Sequence, residues 1–463
     1  MTAEPRRNDS LAYWIDRAGC SYADLATALA RTARDLGHHG VRPDRSRISR
    51  WVNDGEQPRA PLPDVLAATL TRLCRLPGPL TREDLGMGAR HGRRPPRAWA
   101  ADAVAAAIIT TTRSDAMTDD AAPRSSRPLT GPALMEAVQP WLLLPDPPLP
   151  ARTGGRLGMS DVARIQATTE AFRRLDNAHG GGLSRLAVVG QLQEVTRMAA
   201  DGWSTEATGR ALWAAIAELA SVAGWATHDK GLHAEAQTYL LHGLDAAKQA
   251  GPDGVGIAGH ILNCLARQAN HLNRADEALD LVQAALYGTR KLPPGRLRAL
   301  LSTLEARCHA VLGDLPATSR SIGAAQDALA AEAGQAPPWA RWFDAAEYHV
   351  TVGVCELIAA EHDPGRAERA VDLISTGTAQ RPEDRTRSRA FDQIALARAH
   401  TRGGHLDAAD QTTATALELI GRVDSTRVTD RLHELDHDLS TAPTSTHATS
   451  ARDRIRAALP PAA

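Results

Sequence analysis

From residue 224 onward, small side chains return at a fixed place within an otherwise apolar helical pattern, and that recurrence leaves the chain few architectures. In ASVAGWATHDKGLHAEAQTYLLHGL the small positions are Gly224, Gly231, Ala236 and Gly243. In LARQANHLNRADEALDLVQAAL the matching positions are Ala266, Asn273, Ala278 and Ala285. Weaker copies put Ala306, Gly313 and Ala325, then Cys355, His362 and Ala367, then Ala397, Gly404, Ala409 and Ala416, in the same slots. Paired helices that approach closely need small side chains at such offsets. With Ala236, Ala278, Thr318, Ala367 and Ala409 as markers the steps are 42, 40, 49 and 42 residues. These exceed the ~34 residues of the tightest helix-pair repeats, so extended helices or inserted loops are expected. No segment alternates with period two, which leaves no case for a sheet.

At 463 residues the chain is too long for one core, and two or three domains are expected. Hydrophobic residues make up 43% but Phe, Trp and Tyr only 4%, as suits alanine-rich helices packed through small side chains. The run GMGARHGRRPPR from Gly86 reads as a mobile tether and PDPPLPARTGGRLG from Pro145 as a second linker. Between them, Ala98–Thr111 and Leu129–Leu144, with Trp141 as anchor, read as short helices around a polar stretch from Arg113 to Arg127. The expected division is an N-terminal domain over 1–86, a linker with one or two helices over 87–158, a repeat domain over 159–440 opening with Ser160 or Asp161 as cap, and a flexible tail over 441–463. A short helix from Arg452 to Leu459 is expected within the tail.

Charge separates the head from the body. The formal net charge is −1, yet residues 1–100 hold 17 Arg and no Lys against 11 Asp plus Glu. A basic head on an acidic body fits a nucleic-acid reader joined to something else. The stretch PDRSRISRWVNDGEQP carries the pattern: Asp44 caps a short helix, Ile48 and Trp51 share its apolar face, and Gly55 stops it. Arg45, Ser46, Arg47, Ser49 and Arg50 crowd the other face, where planar guanidiniums suit guanine edges and phosphates. Upstream, Leu11, Trp14 and Ile15, then Leu25, Leu29 and Leu36 behind the cap Ser21, mark two more helices. Leu66, Leu70 and Leu73 of a fourth would close the core. Two helices, a connection and an Arg-faced helix are in helix-turn-helix order.

In the repeats, the first helix of each pair would line a concave face, and polar residues there would meet a ligand. Asn263, Arg267 and Asn270 share one helix face, and Arg307, Glu356 and Arg398 stand at equivalent positions of later repeats. Asparagine amides can hold a peptide backbone and arginine a carboxylate; each position also suits a solvated polar stripe. HELDH, His433 to His437, satisfies a zinc-helix pattern with Glu434 as base, but no third ligand follows. GVGIAG, Gly254 to Gly259, fits a dinucleotide fingerprint without the strand that should precede it. No nucleophile, base and orienting acid stand out. Neither an enzyme nor a cofactor or metal is therefore expected. Five dispersed cysteines, Cys20, Cys74, Cys264, Cys308 and Cys355, argue for buried free thiols. Without an apolar leader or a spanning run, a soluble cytoplasmic protein is expected.

DRSRISRWVNDGEQPR resembles the recognition segment of XRE-type helix-turn-helix regulators of actinomycetes, including the negative regulators of differentiation and antibiotic production in Streptomyces. FRRLDNAHGGGLSRLAVVGQL, Phe172 to Leu192, and the repeats from Gly224 look like the tetratricopeptide-like body of those regulators. The resemblance spans nearly the whole chain, with the RWVNDGEQPR and RLDNAHGGG segments its specific parts. It implies DNA contacts at Arg45, Ser46, Arg47, Ser49 and Arg50. The insertion from Arg34 to Arg42 departs from compact XRE domains. Peptide-sensing regulators with the same two-part plan suggest a homodimer. The expected fold class is all-α, a helix-turn-helix domain followed by a tetratricopeptide-like α-solenoid. The expected function is sequence-specific transcriptional regulation, its partners double-stranded DNA, a second copy of the chain, and a peptide, small-molecule or protein effector in the repeat groove. The competing function is a protein-interaction scaffold.

Overall fold

The computed structural model describes residues 7–74, 80, 82, 85–87, 100–116, 127–144, 146, 147, 149, 157–179, 185–420 and 426–459. Among them the protein is helical throughout, with no strand and a single isolated bridge between Leu157 and Trp203. The tether over 88–97, most of the 145–158 linker, the polar stretch 117–126 and the break at Gly180–Gly182 lie outside the described residues.

The chain divides into two compact units. The first holds α1 (Asp9–Arg17), α2 (Tyr22–Asp35), α3 (Arg45–Asn53), α4 (Leu62–Leu73) and α6 (Gly131–Leu143). Helices α1, α2 and α3 each start where a polar side chain can satisfy the first amides. The Asn8 carboxamide accepts from the Leu11 N–H, Ser21 and Asp24 form a reciprocal capping box, and Asp44 accepts from the Arg47 N–H at 2.8 Å. Leu11, Trp14, Leu25, Leu29, Ile48, Trp51, Leu66, Leu70 and Leu85 are buried in one core. Two expected members are not in it. Leu36 and Leu73 are exposed, because each lies at a helix's C-terminal end, where the apolar stripe has turned away from the core. The segment expected as linker supplies α6, which packs on α1. Gly131 opens it at φ +52°, so close to Tyr13 that a Cβ would stand 2.8 Å from the ring.

The second unit takes α5 (Ala101–Ala116) from the same segment. Its Asp115 accepts two hydrogen bonds from the buried Arg185 guanidinium on α8 (Arg185–Asp201) and one from the Tyr239 hydroxyl on α10 (His233–Gln249). Together with α7 (Met159–His179) and α9 (Glu206–Asp229), these helices begin a run of pairs. The run continues as α11 (Val255–His271) with α12 (Ala275–Gly288), α13 (Arg296–Val311) with α14 (Leu315–Ala330), α15 (Ala345–Ala359) with α16 (Arg366–Gln380), α17 (Thr386–Arg402) with α18 (Leu406–Ile420), and α19 (Thr426–Thr441) with α20 (Thr446–Ala458).

The repeat slots have two physical duties. Gly231, Asn273, Gly313 and Gly404 sit in the turns within pairs with φ of +76°, +57°, +80° and +81°, the left-handed region that glycine and asparagine tolerate best. Gly224, Ala236, Gly243, Ala266, Ala278, Ala285, Ala306, Ala325, Ala367, Ala397, Ala409 and Ala416 are buried where helices cross. The 49-residue step reflects an insertion between α14 and α15 that carries a short 3₁₀ turn, Pro338–Ala340, and the buried Phe343. The fingerprint-like glycines serve packing too. They lie in a 3₁₀ turn and on α11, and a Cβ on Gly254 would stand 1.9 Å from the Ala247 carbonyl oxygen.

A Cβ at Gly224 would come within 2.8 Å of Leu240 Cγ and 3.1 Å of the Ala236 carbonyl oxygen. Gly224→Ala is therefore expected to destabilise the protein by about 1–3 kcal/mol. Gly190→Ala, on an exposed helical face with nothing within 4 Å, should instead stabilise by up to about 1 kcal/mol. Urea unfolding of the two variants compares them directly, and equal effects would remove the packing explanation of the slots.

The tail expected to be flexible over 441–463 carries α20, which takes in the short helix expected from Arg452 and starts it earlier, at Thr446. Ala448, Ala451 and Ile455 fall at helical spacing and are buried against α18 and α19. Ser445 caps α20 by accepting from the His447 N–H. A polar composition concealed one apolar stripe.

Candidate functional sites

On α3, burial and exposure divide by face. Ile48, Trp51 and Val52 are fixed in the core, whereas Arg45, Ser46, Arg47 and Arg50 are exposed and Ser49 is half-buried. Among the described residues Arg45 and Arg47 have no side-chain partner, Arg50 lies 3.5 Å from the Glu56 carboxylate, and the Ser49 hydroxyl accepts from the Asn53 amide at 3.0 Å. The connection from α2 to α3 spans 36–44, longer than the roughly three or four residues of a tight helix-turn-helix. It leaves α2 through Gly37 at φ +81°.

In the second unit, the first helices of successive pairs touch in the order α9, α11, α13, α15 and α17. This row curls far enough for residues distant in sequence to meet. The Arg387 guanidinium of α17 donates to Asp176 of α7 at 2.7 Å and to Asp229 of α9 at 3.2 Å. Arg427 of α19 donates to the other oxygen of Asp229 at 2.8 Å, and His271 of α11 lies 3.3 Å from Asp430 of α19. The inner face is thus enclosed by α9, α11, α13, α17 and α19.

The sequence-derived candidates fall into two groups on these helices. Asn263 is buried; among the described residues neither amide atom has a well-formed hydrogen bond, its one polar neighbour being the adjacent Cys264 thiol. The Arg267 guanidinium stacks 5.6 Å from the Trp225 ring and 5.3 Å from the Trp342 ring, with no carboxylate partner among the described residues. Asn270 donates to the Cys308 sulfur at 3.1 Å, which ties α11 to α13 beside Arg307. Arg307 has no hydrogen-bond or carboxylate partner among the described residues, and burial, then the Arg431 charge, pushes its pKa down. Glu356 and Arg398 are already occupied. Arg366 at 2.8 Å and Arg369 at 3.2 Å hold Glu356 from α16, while Asp438 at 2.6 Å and Glu434 hold Arg398 from α19.

Further residues of this face were legible in the register although their residue types did not mark them. Trp225 follows Gly224 as Arg267 follows Ala266 and Arg307 follows Ala306, so it occupies the same slot. Trp342 and Arg427 come from the inserted loop and from α19, where the repeat pattern gives no warning. His260 packs against Trp339 and Trp342 at 5.4 and 6.5 Å between ring centres, and burial, then Arg173 and Arg267, pushes its pKa down to about 3. At HELDH, His433 and His437 are exposed, and Arg431 and Arg398 pull the Glu434 carboxyl below its ordinary pKa against the opposing effect of burial. The five cysteines are free. Burial pushes Cys264, Cys308 and Cys355 up to about 12, which makes them inert thiols.

Residues 11–88 match the family described as the SP15 N-terminal domain, a span that takes in α1 to α4 of the first unit. No curated protein matches the chain, and no solved structure does. No described helix is long and apolar enough to cross a membrane.

Proposed function

We propose that the chain is a cytoplasmic, sequence-specific DNA-binding transcriptional regulator acting as a homodimer, with α3 as its reading helix and the helix pairs as a tetratricopeptide-like effector-binding body. One observation carries the reading: α3 buries Ile48, Trp51 and Val52 while Arg45 and Arg47 stand exposed on the opposite face, without a side-chain partner among the described residues. An apolar anchor fixes the helix, and the two forks of N–H donors are free for base edges or phosphates. The resemblance of DRSRISRWVNDGEQPR to XRE-type readers supports the same assignment and points to control of differentiation or secondary metabolism. A second copy would present two half-sites, adding affinity that one small basic module lacks.

Arg47→Ala with Arg50→Ala is expected to weaken operator binding by about 100-fold or more, since each arginine–base pairing supplies about 1–3 kcal/mol, with no change in circular dichroism. Gel shifts on fragments selected from genomic DNA measure it. Undiminished binding removes α3 from the role. The long 36–44 connection favours a second reading, a scaffold whose first unit does not read DNA. Salt titration separates the two, because phosphate pairing makes log K fall linearly with log salt.

A further inference from the structure

Most guanidiniums on the inner face of the second unit are already paired. Asp229 is shared by Arg387 and Arg427, and Glu434 by Arg398 and Arg431. Arg267 and Arg307 make no ion pair with a carboxylate among the described residues, although the Glu434 charge also acts on Arg307. Enclosing an uncompensated guanidinium is costly, because burial removes water without supplying a counter-charge. The two come from neighbouring places: Arg267 and Asn270 lie one turn apart on α11, and Asn270 is bonded to Cys308, the residue after Arg307. Stacking on Trp225 and Trp342 fixes the plane of Arg267 while leaving its N–H edge unused. One turn along the same face, the buried Asn263 amide has no well-formed hydrogen bond among the described residues. Such a group is expected to be satisfied by something that binds there.

We propose that this face binds a doubly charged oxyanion, a phosphate monoester or a dicarboxylate, through Arg267 and Arg307 with Asn263 as the neutral donor. Each guanidinium offers two parallel N–H bonds to an oxyanion, and two guanidiniums balance two negative charges. Arg173 borders the site: its Nη1 is bonded to Glu218 at 2.5 Å, whereas its buried Nη2 has no partner. The inference rests on reading the helix pairs as the effector-binding body.

The test uses the full-length protein, with thermal unfolding and calorimetric titration in sodium phosphate or sodium succinate against sodium chloride at equal ionic strength. At saturation one of the two dianions should raise Tm by about 2–4 °C over chloride, and whichever does so distinguishes phosphate from carboxylate recognition. Arg307→Met should abolish the rise and, without dianion, be at least as stable as the parent, since it removes a half-buried charge that has no ion pair among the described residues. Asn263→Leu should reduce the rise while keeping the fold. No rise with either dianion overturns the proposal, as does a rise that survives in both Arg267→Met and Arg307→Met. DNA binding is measured in parallel. Dianion binding without operator binding would sink the regulator reading and leave this site standing; the converse result would sink only the site.

Discussion

Asp229→Asn is expected to destabilise the protein by about 3–5 kcal/mol, the cost of breaking a buried ion pair from one side, and to lower Tm by roughly 10 °C. Asp229 is 1% exposed and serves two guanidiniums, Arg387 and Arg427, that arrive 158 and 198 positions later in the chain. The asparagine is nearly the same size, so no cavity confuses the result. What it removes is the charge, leaving Arg387 to Asp176 and Arg427 without an ion pair among the described residues. Adding Arg387→Met should recover part of the loss, because it withdraws one of the charges that Asp229 balanced. Urea unfolding of the single and double variants gives the coupling, and a loss under about 1 kcal/mol for Asp229→Asn would mean that this cluster does not fasten α9 to α17 and α19.

Acid should loosen the second unit before most of its carboxylates titrate, Asp392 excepted, whose carboxyl burial pushes up to about 6. Burial is the main cause that holds His228 well below its ordinary pKa, His233 down to about 4 and His260 down to about 3. In the unfolded chain each would bind its proton near pH ~6.5. Between about pH 6.5 and 4 the unfolded state therefore takes up protons that the native state refuses, and stability falls as pH falls. His233 and His260 each contribute about 1.4 kcal/mol per pH unit inside that window, on the order of 4 kcal/mol together between about pH 6.5 and 5, with His228 adding in the same direction and the raised Asp392 opposing. Asp430 and Glu434, whose pKa values are lowered by His271 and by Arg431 with Arg398, add their losses only below about pH 4.5. The check is the urea midpoint at about pH 7, 6 and 5. His260→Gln should make the dependence shallower, and a flat profile would show that these rings take up protons without unfolding.

These two expectations concern residues whose meaning differs between sequence and fold. Asp229 reads as the last residue of a helix and nothing more; only the curl of the row gives it partners. Arg267 and Arg307 read as candidate ligand-binding residues and stand unpartnered by carboxylate, whereas Glu356 and Arg398, chosen by the same register, are neutralised by α16 and α19. Register fixes which face a side chain leaves from. It does not say which opposite charge, about 10 or 40 positions away, will arrive there.

The local rules were legible wherever one residue type meets one backbone demand. Asp44 before Arg45 starts α3, Gly231, Asn273, Gly313 and Gly404 turn the pairs, and Gly224 and Gly243 admit a neighbouring helix. These are properties of short consecutive stretches, so the sequence alone carries them. Tertiary structure alone divided the 87–158 segment, with α6 packing on α1 and α5 on α8 and α10. It also carried α20, of which the sequence marked only Arg452 to Leu459, back to Thr446 and seated it on α18 and α19, and it brought Arg267 and Arg307 near Asn263 without a carboxylate ion pair among the described residues. The physical reason is the same each time: burial and charge balance depend on what packs from elsewhere in the chain, and no helical period records that.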